Sequence, residues 1–100
     1  MTDKAESIVG KTILHQIEKG VLMSLGARDL VFLEKGLQFK VSNLTRRIVQ
    51  VTLSPLDLYD VVCKQMQSDW TWLIEYESSG VYAENLSEVL LFVEKSVWGK

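Results

Sequence analysis

Gly36-Leu37-Gln38-Phe39-Lys40-Val41 sets Leu37, Phe39 and Val41 in alternation with Gln38 and Lys40. Successive side chains of a β-strand point to opposite faces, so this rhythm predicts a strand with one dry side. Arg47 to Leu53 repeats it, with Val49, Val51 and Leu53 on one side and Ile48, Gln50 and Thr52 on the other. Upstream, Asp29 to Glu34 reaches the first of these strands across Lys35-Gly36, a compact turn whose glycine is free to take positive φ, which predicts a hairpin. Asn43 to Thr45 read as the loop between the second and third strands.

Working outward, Trp70, Trp72, Ile74 and Tyr76 alternate with Thr71, Leu73, Glu75 and Glu77, a strand with an aromatic face that Ser78-Ser79-Gly80 should end. The segment before it reads two ways. Ser54-Pro55-Leu56-Asp57 suits both a helix N-terminus and a type I turn. Leu58, Val62 and Met66 would form a helical stripe, whereas Leu58 to Cys63 is rich in β-favouring types and a tight turn most simply returns an antiparallel neighbour. Strand is the preferred reading.

Both ends have helical spacing. Asp3 and Glu6 form a candidate capping box ahead of Ile8, Val9, Ile13 and Ile17, with Gly10 weakening the helix and Gly20 as its stop. Val21 to Leu25, closed by Gly26, adds a short helical turn. At the other end Tyr82, Leu86, Val89, Leu90, Val93 and Val97 fall on one stripe, with Glu84, Glu88 and Glu94 placed opposite. The expectation is one α+β domain over residues 1–100. An antiparallel meander of four to five strands is covered on one face by an N-terminal helix, its short extra turn and a C-terminal helix.

At 100 residues with 47% hydrophobic composition, such a domain hides roughly 65% of its unfolded surface and needs no staple. The lone Cys63 and the lack of paired Cys/His spacings argue against a disulfide scaffold or a structural zinc site. The polar start Met1-Thr-Asp-Lys-Ala-Glu lacks signal-peptide character, and the longest apolar run is Val89–Val93, so a cytoplasmic, non-membrane protein is expected. Charge is uneven. Residues 28–56 carry five bases against two acids, a net of +3, and residues 57–100 carry eight acids against three bases, a net of −5.

Gly26-Ala-Arg-Asp-Leu-Val, Gly36-Leu-Gln-Phe-Lys-Val, Val51-Thr-Leu-Ser-Pro-Leu-Asp-Leu-Tyr-Asp-Val and Gly80-Val-Tyr-Ala-Glu-Asn-Leu together resemble a family of small hypothetical proteins encoded by bacteriophages and prophages. The likeness spans most of residues 12–92. It implies a strand after the Thr-Leu-Ser-Pro turn and a mobile-element origin in a bacterial cytoplasm, and it implies no activity and no catalytic residues. This chain departs from the family at Val62-Cys63-Lys64-Gln65-Met66 and in its Trp-rich fifth strand.

The catalytic inventory is thin. His15 has no partner spacing, Cys63 suits a packed strand, and the acids Asp57, Asp60, Glu75 and Glu77 read as solvated rather than metal-binding. No phosphate loop, GxSxG elbow or metal-ligand motif is present, so neither an enzyme nor a cofactor is expected. The expected activity is binding, without turnover. Trp70, Glu84, Glu88 and Trp98 form a candidate protein-contact set, Trp98 because a tryptophan two residues from the end is easily left exposed. Its partner would be a second copy or a host factor, including a host defence nuclease inhibited by acidic mimicry. The alternative is a nucleic-acid-binding factor using Arg28, Lys40, Arg46 and Arg47, against which the pI near 5.3 weighs.

Overall fold

The structure, a computed structural model, describes residues 4–41 and 46–99, with side chains from residue 8 onward. The Asp3/Glu6 capping box and the Asn43–Thr45 loop lie outside that range. Helix α1 spans Lys4–Gln16 and α2 spans Lys19–Leu25. Five strands follow, β1 (Arg28–Leu33), β2 (Gly36–Val41), β3 (Arg47–Leu53), β4 (Tyr59–Met66) and β5 (Trp72–Val81). A 3₁₀ turn (Ala83–Asn85), helix α3 (Leu86–Phe92) and a wider π turn (Val93–Val97) close the chain. The strands form one antiparallel sheet in sequential order, the expected meander with all five strands.

Alternation decides the core. Leu37, Phe39 and Val41 of β2, Val49 and Val51 of β3, and Tyr59, Val61 and Cys63 of β4 all face the helical layer and are buried. From the helices come Ile13, Ile17, Val21, Leu25, Leu86, Leu90 and Val93. Tyr59 also donates its hydroxyl proton to Gln16 Oε1 at 2.7 Å, fastening β4 to the end of α1. The preferred strand reading of the segment after Pro55 holds. Its turn is built as the sequence suggests, since Ser54 Oγ accepts from the Leu56 N–H at 3.3 Å and the Asp57 N–H returns to Ser54 O at 3.0 Å.

Four details differ from the sequence reading. The first helix stops at Gln16, not Gly20, because the chain turns at Ile17-Glu18, where the Glu18 N–H donates to Ser87 Oγ on α3 at 3.0 Å. Gly20 lies inside α2, which ends where expected: Gly26 adopts φ 69° and the Ala27 N–H closes on Leu22 O at 3.0 Å. β5 runs past Ser78-Ser79-Gly80, absorbing Ser79 and Gly80 as a bulge opposite Asp60. Tyr82 precedes the closing helix and is exposed. Glu94 is buried, only 5% exposed, because it stands four residues after Leu90 at the edge of the buried stripe; Ser24 Oγ of α2 sits 2.9 Å from both its oxygens.

Gly36 serves close approach rather than positive φ. A Cβ there would collide with Val51 O of β3 and crowd Thr52. Gly10 does the same for α1, since a Cβ would strike the Phe32 ring and come within 3.0 Å of Gly36 O. Gly36 lets β3 lie close against β2, and Gly10 lets the helix sit directly on the β1–β2 hairpin, so Gly10 is a packing residue and not merely a weak helix former.

Gly10→Ala should therefore lower stability, by up to about 2 kcal/mol in urea denaturation, overpacking of ~1–3 kcal/mol outweighing a propensity gain of ~1 kcal/mol. Gly20→Ala, whose Cβ meets nothing within 4 Å, should raise it by up to ~1 kcal/mol.

Candidate functional site

The helices lie on one side of the sheet, and paired residues on neighbouring strands share a face, so the register lays out the other side row by row. One row runs Arg28, Lys40, Ile48, Lys64, Ile74 from β1 to β5. Toward β1's hairpin turn the next row runs Val31, Gln38, Gln50, Val62, Glu77, with Gln50 Nε2 donating to Gln38 Oε1 at 2.7 Å. On the opposite side of the basic row stand Met66 and Trp72, paired across β4 and β5. This face is therefore basic and apolar at one end and acidic, through Asp60 and Glu77, toward the other.

At the basic end, Arg28, Lys40, Arg46, Arg47, Ile48, Met66 and Trp72 line a cleft of about 310 Å³. Ile48 is its floor, only 7% exposed although no helix covers it. Its pair partners Lys40 and Lys64 flank it, their aliphatic stems well suited to shield apolar surface while the ammonium groups stay wet. Two cation–aromatic pairs rim the site, Lys64 Nζ 4.8 Å from the centre of the Trp72 ring and the Arg46 guanidinium 5.5 Å from that of Trp70. Asp29, at φ 54° in a bulge of β1, accepts from Arg28 at 3.1 Å and lies 3.6 Å from Lys40. Exposed contacts of this kind are worth little, and the side chains of Arg28 and Lys40 keep 43% and 54% of their surface exposed.

A second bulge in β5 explains the tryptophans. Cys63 pairs with Tyr76 but Lys64 pairs with Ile74, so Glu75 is an extra residue and the alternation of β5 changes phase there. Trp72 and Ile74 consequently face away from the helices, 42% and 54% exposed, while Tyr76 turns inward to pack 5.9 Å from the Phe92 ring. Trp70 lies outside the strand, in the β4–β5 turn at φ 69°, 74% exposed. The single aromatic face expected from the sequence does not form.

Glu75 is drawn under the sheet's edge. Arg47 Nε and Nη2 donate to its Oε1 and Oε2 at 2.8 and 3.2 Å, and Trp98 Nε1 donates to Oε1 at 3.0 Å. The Arg47 guanidinium also lies 5.4 Å from the centre of the Trp98 ring. The π turn delivers Trp98 to this position, its N–H closing on Val93 O at 2.9 Å. Trp98 is thus half-buried in a clasp rather than left exposed, and Arg47 has its charge largely matched by Glu75.

The structure brings Arg28, Lys40, Arg46 and Arg47 together and does not bring together Trp70, Glu84, Glu88 and Trp98. Glu84 and Glu88 are exposed at the start of the closing helical segment, Glu88 accepting from Asn85 Nδ2 at 2.9 Å. Trp98 lies ten residues beyond Glu88, about 15 Å along a helix. Ile48, Lys64, Met66 and Trp72 join the site unforeseen, and only the strand register could have signalled them. His15 is exposed on α1, whereas Cys63 is buried on the opposite side of the core sheet layer from the cleft. Burial, with a smaller contribution from the Glu75 charge, pushes the Cys63 thiol up to about 12, so it stays protonated. Among the described residues no group of three or more His, Cys, Asp and Glu could hold a metal ion, and no helix is long and apolar enough to cross a membrane.

No family model matches the chain, and neither does any curated protein or solved structure.

Glu75→Gln should leave the half-buried Arg47 without its carboxylate and lower unfolding stability by about 1–3 kcal/mol in urea titration. The indole Nε1 proton of Trp98 should shift in the same variant, because its acceptor loses a charge.

Proposed function

We propose that this protein is a non-enzymatic accessory protein, of the bacteriophage or prophage type its sequence resembles, that works in a bacterial cytoplasm by binding nucleic acid on the uncovered sheet face. The observation that carries this reading is the convergence of Arg28, Lys40, Arg46 and Arg47, from β1, β2 and the start of β3, on one cleft floored by Ile48 and walled by Met66 and Trp72. Electrostatic capture of phosphates supplies most sequence-independent affinity for nucleic acid, and a protein of net charge −2 needs its cations concentrated to achieve it. Lys64 adds a fifth cation next to the cleft through Trp72. Binding without turnover suits the residues present, since the one thiol is buried and protonated and the one imidazole lies on α1 outside the cleft.

A protein partner held by the acidic C-terminal third draws less support. Its four contact residues occupy separate regions, and Trp98 is engaged by Glu75 and Arg47.

Fluorescence anisotropy with a labelled mixed-sequence oligonucleotide tests the proposal. Binding should be measurable at 50 mM salt and weaken about tenfold or more by 200 mM, as expected for two to three phosphate contacts at ~0.7–0.9 counterions each. Lys40→Ala with Arg46→Ala should weaken it further and flatten the salt slope; Arg47 is spared because it holds the clasp. Absence of binding to any DNA or RNA at 50 mM salt would contradict the proposal.

A further inference from the structure

The cleft combines two kinds of group that serve different parts of a nucleic acid. Arg28, Lys40 and Lys64 occupy one cross-strand row, and the first three strand spacings of that row span about 14 Å at the usual ~4.8 Å between neighbours. Trp72 stands in the adjacent row, beside Met66, with its ring lining the cleft. Trp70 follows in the β4–β5 turn, its ring nearly free of the protein except for Arg46. A line of cations therefore runs beside two accessible aromatic faces.

An aromatic face is useful to an unpaired base and useless to a paired one. In a duplex each base is covered above and below by its neighbours, and a protein meets only base edges and the backbone. Single strands expose base faces, and stacking on aromatic side chains is then the main sequence-tolerant source of affinity beside the phosphates. A cleft of about 310 Å³ is at the small end of ligand-binding pockets, of a size for a flat ring and its sugar and not for a double helix. The bulge at Glu75 is what turns Trp72 to this face, so the sheet's irregularity and the aromatic platform have one cause.

Resting on the nucleic-acid reading above, we infer that the cleft is specific for single strands, with one unpaired base stacked on Trp72, a neighbouring base on Trp70, and the backbone beyond the Trp72 base continuing along Lys64, Lys40 and Arg28. Lys64 and Arg46 each lie over one face of these rings, and Trp72 and Trp70 remain 42% and 74% exposed.

The test compares a labelled 12-nucleotide single-stranded DNA, the RNA of the same sequence and the corresponding DNA duplex, with poly-glutamate as an anion lacking bases. The expected result is at least about tenfold tighter binding of one or both single strands than of the duplex, with quenching of tryptophan fluorescence. Trp72→Leu should weaken single-strand binding about tenfold while leaving the salt slope unchanged, and Trp72→Phe should retain most of it. Trp70→Asn, which suits the positive φ of that turn, should weaken it by a smaller factor; unaltered thermal melting of each variant excludes a folding defect. Equal affinity for single strand and duplex, or a Trp72→Leu variant that binds single strands as well as the wild type, overturns the stacking inference and leaves nucleic-acid binding standing. Binding of poly-glutamate with none of either nucleic acid overturns both.

Discussion

Hydrogen-bonded pairing from β1 to β5 sends alternate side chains to opposite faces, and the helical segments of this chain supply apolar surface for one of those faces only. Everything else follows from that asymmetry. On the covered side Leu37, Phe39, Val49, Val51 and Val61 meet Ile13, Ile17, Leu86 and Leu90, and the burial of such side chains at ~25 cal/mol per Å² is the main force holding the helices down. On the other side the chain must keep Ile48, Val62 and Met66 from water without a helix. It does so with residues whose stems are apolar and whose tips are charged or aromatic: Lys40, Lys64 and Trp72 around Ile48. The same side chains that make the open face soluble give it cations and ring surfaces, so its stability and its binding chemistry share a source.

The extra residue in β5 links the two faces. Placing Glu75 out of phase turns Trp72 and Ile74 outward and Tyr76 inward, and it aims the Glu75 carboxylate at Arg47 and Trp98. The clasp so formed ties β3, β5 and the end of the closing helix together. A bulge at an edge strand also disfavours uncontrolled pairing with another chain.

Much of the fold was legible because hydrophobic alternation and turn chemistry agree. Leu37, Phe39 and Val41, the Arg47–Leu53 strand, the Ser54-Pro55 turn and the Gly26 cap are each marked by local residue types whose preferences the tertiary structure keeps. The bulge was not legible, since Trp70 to Glu77 reads as unbroken alternation and only the pairing with β4 shows where one residue is surplus. Glu94 was misplaced because a carboxylate at the edge of a stripe is assigned outward unless its partner, Ser24, is known to be adjacent. The site was half legible: four bases were visible as a cluster in sequence, but their meeting with Ile48, Met66 and Trp72 depends on register, which no single segment encodes.

The most direct measurement of the one-sided core is solvent paramagnetic relaxation from a soluble gadolinium chelate, read at methyl and indole protons of dilute protein. Ile74, Val31, Trp70 and Trp72 should relax strongly, while Leu37, Val49, Val51, Val61, Leu86 and Leu90 should be protected, in keeping with their exposures in the structure. Protection of Trp72 and Ile74 to the level of Leu37 would mean that this face is covered in solution, and would contradict an open binding surface.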